Sequence, residues 1–303
     1  MTIDRFSLGG STKTFAYRYP KWRIPDTILL AIIILINLPV YFQPPFQRQF
    51  MLNDPTLSHP YELNERVTNV MLVMYSLVLP CAVIIAVWYL LVDRRHKWNM
   101  LYVSLLGLFL SWFTTALFTN CIKNWFGRPR PDFIDRCQPR PNMPINTLFT
   151  ADEVCTNENE DIILEGFRST PSGHASESFS GLGYLFFWLC GQLITEHEQV
   201  GIWRKYVAMI PLLLASLISL SRTQDYRHHF VDIFFGSFIG FLISYGIYRK
   251  YFPPISSQVP FKPLLDDSDV TLDVPPESTM MSSSTYQRRV LLPQDEEMGP
   301  LSA

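Results

Sequence analysis

Two histidines and an aspartate stand near arginines and a lysine at three places in this chain. The stretch Ser221-Arg222-Thr223-Gln224-Asp225-Tyr226-Arg227-His228-His229-Phe230-Val231-Asp232 lies between two strongly apolar segments. Ionisable groups at a membrane surface are costly to desolvate and need a chemical reason. With a helix starting near Tyr226, His228 and Asp232 fall at i and i+4 on one face. A carboxylate placed there would hold the imidazole in one tautomer and stabilise its charged form. Arg222, near the end of the preceding helix, would reach an anion presented to that imidazole. A basic loop snorkelling to lipid headgroups accounts for the same residue types without chemistry.

Two more clusters are expected on the same side. Lys123-Asn124-Trp125-Phe126-Gly127-Arg128-Pro129-Arg130-Pro131 follows an apolar run, and Pro131 keeps Arg130 out of a helix. Lys123 would give phosphate a point charge and Arg130 a planar fork. Pro171-Ser172-Gly173-His174 opens the next apolar run. Ser172 is a candidate helix cap, Gly173 permits close approach, and a helix start offers free N–H groups to an anion. Two histidines, an aspartate, three cations and a glycine-opened helix start fit phosphoryl transfer without a metal or other cofactor. The cations would neutralise the phosphate and its transition state. His228 is the better nucleophile because Asp232 is one turn away, and His174 the better acid and base. His229 reads as structural, and Arg128 as a loop or headgroup contact because its spacing from Lys123 is wrong. Asp132, Asp225 and Arg168 receive no role.

These groups need apolar elements to hold them. Of 303 residues, 48% are hydrophobic, with 22 Phe, 14 Tyr and 7 Trp, and the net charge of −2 gives no reason to expect nucleic acid. A membrane-crossing helix needs roughly 20 apolar residues. Six segments qualify: Asp26–Phe42, Val67–Val92 with Pro80 inside it, Leu101–Ile122, Ala175–Ile194, Tyr206–Leu220 (starting near Ile202) and Val231–Tyr251. The expected fold is all-α, a polytopic membrane protein of six transmembrane helices. Residues 1–25 form a basic cytosolic tail, 26–252 the six-helix domain, and 253–303 a disordered cytosolic tail rich in Pro, Ser, Asp and Glu. Basic flanks at Asp93-Arg94-Arg95-His96-Lys97, Arg204-Lys205 and Arg249-Lys250 place both termini in the cytosol. The three polar clusters then lie on the opposite, lumenal side. The segment Gln43–Arg66 on that side is assigned no chemistry. Cys137 and Cys155 share one polar loop; they pair if it faces an oxidising lumen and are otherwise two free thiols.

The motifs Lys123-x6-Arg130-Pro131, Pro171-Ser172-Gly173-His174 and Ser221-Arg222-x5-His228-x3-Asp232 together resemble the three-part signature of the type 2 phosphatidic acid phosphatase superfamily. Gln43-Pro44-Pro45-Phe46, Asp135-Arg136-Cys137-Gln138-Pro139 and Pro260-Phe261-Lys262-Pro263-Leu264 are similar to the fungal diacylglycerol pyrophosphate phosphatase branch. The resemblance implies His228 as nucleophile, Asp232 as its orienting partner and His174 as acid and base. It implies Lys123, Arg130, Ser172, Gly173 and Arg222 as phosphate ligands, and no divalent metal. The implied substrates are diacylglycerol pyrophosphate, phosphatidate and lysophosphatidate, and the implied address is the vacuolar membrane. A lipid phosphotransferase shares this site, and a non-enzymatic lipid-phosphate binder or transporter would have lost one of the histidines.

Overall fold

Each of the six apolar segments is largely taken up by one long helix among the described residues. The computed structural model describes residues 23–91 and 97–265. In chain order the elements are α1 (Ile24–Phe42), β1 (Phe50–Met51), α2 in three consecutive stretches (Asn69–Val73, Met74–Val78 and Leu79–Leu91) and α3 (Lys97–Phe126). Then come α4 (Phe133–Cys137), β2 (Leu148–Phe149), α5 (Ala151–Val154), α6 (Glu160–Gly166), α7 (Gly173–Gln192), α8 (Trp203–Gln224) and α9 (Phe230–Tyr251). The basic residues of the N-terminal tail before Arg23, the connection at Arg94, Arg95 and His96, and the acidic tail from residue 266 lie outside the described residues.

Among the described residues five helices, α1, α2, α3, α8 and α9, are long and apolar enough to cross a membrane. The remaining long helix, α7, is too polar for that test because it sits in the middle. Sixteen of its twenty residues are buried, and it packs against α9, α8, α3 and α2. Its neighbours supply the apolar surface to lipid, so α7 can carry serines if each hydroxyl finds a partner. Thr119 donates to Ser176 at 2.8 Å, Thr115 to Ser180 at 2.9 Å, and the Trp188 indole to Ser104 at 2.8 Å. The α7–α9 crossing is tight because Gly236 and Gly240 are one turn apart. A Cβ at Gly240 would stand 2.1 Å from the Ser176 carbonyl oxygen. Small residues at this spacing let membrane helices approach closely.

Pro80 changes the pitch of α2 without ending it. Proline has no N–H for the carbonyl four residues back, here that of Ser76. The turn Met74–Val78 widens to a π-helical form directly before it. Ser76 is held in place by the Trp112 indole, 2.9 Å from its hydroxyl.

On one side of the bundle the two long loops fold into a cap. Phe50 pairs with Phe149 and Met51 with Leu148 in a short antiparallel ladder. Phe50, Leu57, Phe133, Phe149, Val154 and Phe167 form a separate apolar cluster, and Cys137 is disulfide-bonded to Cys155. The cap brings residues 57–67 and 128–172 over the helix ends that carry the three motifs. At the other end of the bundle the C-terminal boundary differs from the expected one. Residues 253–265 do not leave the bundle: the Leu264 N–H donates to the Tyr251 carbonyl at 2.9 Å, and Gln192 donates to the Phe261 carbonyl at 3.2 Å.

Candidate active site

Lys123 sits in the last turn of α3 and has no ion pair or side-chain hydrogen bond among the described residues. Its ammonium lies against Gly173, where a Cβ would come within 3.1 Å of Nζ. A side chain at 173 would crowd the ammonium, and glycine leaves it room. Arg130 lies outside any helix, as Pro131 requires, and its N–H bonds the Gly166 carbonyl at 2.8 Å. Its Nη2 is held by the Glu165 carboxylate and by the Arg168 carbonyl at 3.5 Å, while its Nε is buried with no partner. Arg222 is almost fully buried, donating to Glu65 at 2.8 Å and to Asp225 at 2.7 Å.

Ser172 occupies the N-cap position of α7, but its side chain makes no capping bond. Its hydroxyl is buried and unpartnered, and its backbone N–H donates to the Asp232 carbonyl at 3.0 Å. His174 is in the first turn of α7, with Nε2 lying 3.0 Å from the Val67 carbonyl oxygen. A carbonyl can only accept, so Nε2 carries the proton and Nδ1 is the nitrogen left open.

The expected contact between His228 and Asp232 is not made. The helix does not begin near Tyr226: α8 runs to Gln224, Tyr226 turns the chain with φ 51°, and α9 starts at Phe230 with His229 as its N-cap. His228 therefore precedes the helix and does not share a face with Asp232. Instead Asp232, at the third helical position, turns back on its own cap residue in capping-box fashion. Its carboxylate accepts from the His229 N–H at 3.0 Å, His229 Nδ1 at 3.1 Å, Arg128 at 3.1 Å and Ser169 at 2.6 Å, and also from Thr170. His228 Nδ1 donates to the Ser169 carbonyl at 2.7 Å. Ser169 therefore touches both groups, the aspartate through its hydroxyl and the imidazole through its carbonyl.

Arg130, Lys123, Asp232 and His174 all act electrostatically on His228. Burial is the main force holding the His228 imidazole well below its usual range. The charges of Arg130 and Lys123 push the same way, while Asp232 opposes. His174 also acts on His228, and Arg222, Lys123 and Arg130 act on His174. Burial would raise the Glu165 carboxyl, but Arg130, Lys123 and Arg168 outweigh it and hold it below the usual range. Among the described residues the Arg130 Nε and the Ser172 hydroxyl are buried without partners, and buried donors left open in this way suit an anion. Among the described residues no group of three or more His, Cys, Asp and Glu side chains could hold a metal ion.

Several residues that build the site were not evident in the sequence. Glu65 spans Arg222 and Arg227, and Arg66 pairs with Asp225 at 2.6 Å. Arg136 and Arg227 both stack on Tyr61, and Asp132 grips Arg136 with both oxygens. The segment Gln43–Arg66, expected to be without chemistry, thus supplies Tyr61, Glu65 and Arg66, and the residue after it, Val67, supplies its carbonyl. Arg128, expected as a loop or headgroup contact, donates to Asp232 at 3.1 Å. The available signals were two glutamates just before the second apolar run, Glu165 and Arg168 at helical spacing, and two hydroxyls immediately before Pro171.

The chain is similar to proteins of the PAP2 superfamily. The family's model matches residues 104–255, and the chain belongs to this superfamily. The chain is 58% identical to diacylglycerol pyrophosphate phosphatase 1 of Saccharomyces cerevisiae, over 93% of each chain. It is 40% identical to the Schizosaccharomyces pombe protein named "Probable diacylglycerol pyrophosphate phosphatase 1", over 74% of this chain and 81% of that one. It is 34% identical to lipid phosphate phosphatase 2 of Arabidopsis thaliana, over 83% and 85%. No solved structure matches it.

Proposed function

We propose that this protein is a metal-independent lipid phosphate phosphatase. It removes the β-phosphate of diacylglycerol pyrophosphate to give phosphatidate, and dephosphorylates phosphatidate and lysophosphatidate. The carrying observation is the pair of backbone carbonyls behind the histidines. With Nδ1–H fixed on Ser169, the Nε2 lone pair of His228 is the one available to attack phosphorus. Lys123, Arg130 and Arg222, the Ser172 hydroxyl and the free N–H groups at the start of α7 hold the phosphoryl oxygens. His174, protonated at its open Nδ1 once the anionic substrate is bound, gives that proton to the leaving oxygen as the ester or anhydride bond breaks. It then takes a proton from water, which attacks the phosphohistidine, and phosphate leaves with both imidazoles restored. Asp232 supports the nucleophile through Ser169, because Ser169 is the residue that both touch.

We assign the site to the lumenal face of the vacuolar or another endomembrane, with both termini cytosolic. The Cys137–Cys155 bridge in the cap supports an oxidising compartment. Arg204, Lys205, Arg249 and Lys250 lie at the opposite helix ends and support a cytosolic face there. The test is phosphate release by the detergent-purified protein in excess EDTA, from diacylglycerol pyrophosphate and from phosphatidate. Release from both is expected. No release from either lipid, or release that requires an added divalent metal, would overturn the reading.

A further inference from the structure

We propose that Arg168 is the cation that recognises the second phosphoryl group of a pyrophosphate lipid. This rests on the reading of the protein as a lipid phosphatase. The cradle around His228 accounts for one phosphoryl group, the one attacked. A pyrophosphate carries another between that phosphorus and the glycerol, and it too is anionic. Exposed aromatics at the ends of α1 and α3, Tyr41, Phe42, Trp125 and Phe126, mark the membrane boundary on this side. The unattacked phosphoryl must lie between the cradle and that boundary.

Arg168 stands there. Its Nη2 is anchored on the Tyr41 and Gln43 carbonyls at the end of α1, at 3.1 and 2.7 Å. Its Nη1 shares the Glu165 carboxylate with Arg130, and its own carbonyl accepts from Arg130 at 3.5 Å. It is therefore next to a phosphate-binding arginine, on the membrane side of it. Its Nε–H is buried with no partner, as is that of Arg130. Two adjacent guanidinium groups each keep one unspent buried donor, which suits two linked phosphoryl groups better than one. Glu165 and Glu177, the two carboxylates that act on Lys123, offset at most two of the three charges of Lys123, Arg130 and Arg168, so the region stays net cationic.

The full-length protein is assayed in detergent micelles on diacylglycerol pyrophosphate and on phosphatidate, as wild type, Arg168→Gln and Arg168→Lys. The quantity read is the ratio of kcat/KM for the two lipids, in which any shared loss through Arg130 cancels. In Arg168→Gln the ratio should fall about tenfold, the worth of one charged hydrogen bond, mainly through a raised KM for the pyrophosphate lipid. Arg168→Lys keeps the charge but not the Nε–H, and its ratio should fall by less. If Arg168→Gln does not fold, Arg168→Lys is read alone against inorganic pyrophosphate and orthophosphate as inhibitors. Wild type should bind pyrophosphate more tightly, and the variant should narrow that gap. An unchanged ratio in a folded variant, or an unchanged gap, overturns the assignment while leaving the phosphatase reading intact. Failure of wild type to release phosphate from either lipid overturns the reading beneath it.

Discussion

At the first turn of α7, Ser172, Gly173 and His174 sit among lysine, arginine and carboxylate side chains. Further along, the same helix carries Tyr184, Trp188 and Cys190 into an aromatic cluster with Tyr248, Tyr251 and Phe252. The aromatic end is held by shape: rings stack, as Tyr248 does on Phe252 with centroids 5.4 Å apart, and little charge is involved. The site end is held by local charge balance. Buried Asp232 has donors on every side, and buried Arg222 has two carboxylates. Burying such pairs gains little net stability, but breaking one is costly. The comparison teaches that one helix can serve as scaffold at one end and reaction vessel at the other. Damage at the two ends should then be separable.

The largest separation is expected for His228→Ala. Turnover should fall by on the order of 10⁴-fold or more, with no phosphoenzyme trapped from labelled substrate and with melting behaviour retained. Near-normal turnover would break the assignment of the site to this end. His174→Ala should slow turnover by roughly 10²–10⁴-fold, yet leave a trace of labelled histidine with a substrate whose leaving group needs no proton. Equal loss with good and poor leaving groups would remove His174 from the acid role.

Trp188→Ala tests the other end. It should cost about 3–5 kcal/mol of stability, seen as earlier unfolding in detergent, with activity per folded molecule preserved. Loss of chemistry without loss of stability would erase the contrast between the two ends.

The smallest effect is in pH. His228 must be neutral to attack, and burial beside Arg130 and Lys123 holds it well below its ordinary 6.5. The acid limb of kcat/KM that belongs to His228 should therefore have its midpoint below 6.5. The sign for stability follows from the same shift. Below 6.5 the unfolded chain binds a proton that the folded one still refuses, so acidification destabilises the fold. That loss should be smaller in His228→Asn, which has no such group to titrate. A loss of the same size in the variant would mean that other groups carry the acid sensitivity.

Residue type and spacing made the three motifs legible, because phosphate chemistry demands unusual residues at membrane boundaries. Hydropathy located the helices but did not show that α7 is central. A surrounded helix needs partners for its hydroxyls more than it needs apolar character. Sequence spacing pairs Asp232 with His228 on one helical face, but the helix starts at Phe230 and not near Tyr226, and a four-residue difference there changes which side chains share a face. Glu65, Glu165 and Ser169 stayed hidden because they reach the site through loops that fold back over long separations. Val67 and the carbonyl of Ser169 have no signature at all, since every residue type offers the same backbone oxygen.

That last feature has an evolutionary corollary. The atoms that set both imidazole tautomers are supplied by the main chain at positions 67 and 169. Point replacements that keep the loop path leave these acceptors in place, so the side chains there are free to drift as far as their other contacts allow. A one-residue insertion or deletion in either loop would instead shift the oxygens relative to the rings. Descendants of this sequence should therefore tolerate many spellings of these loops while holding their lengths nearly constant between the cap and the helices that follow.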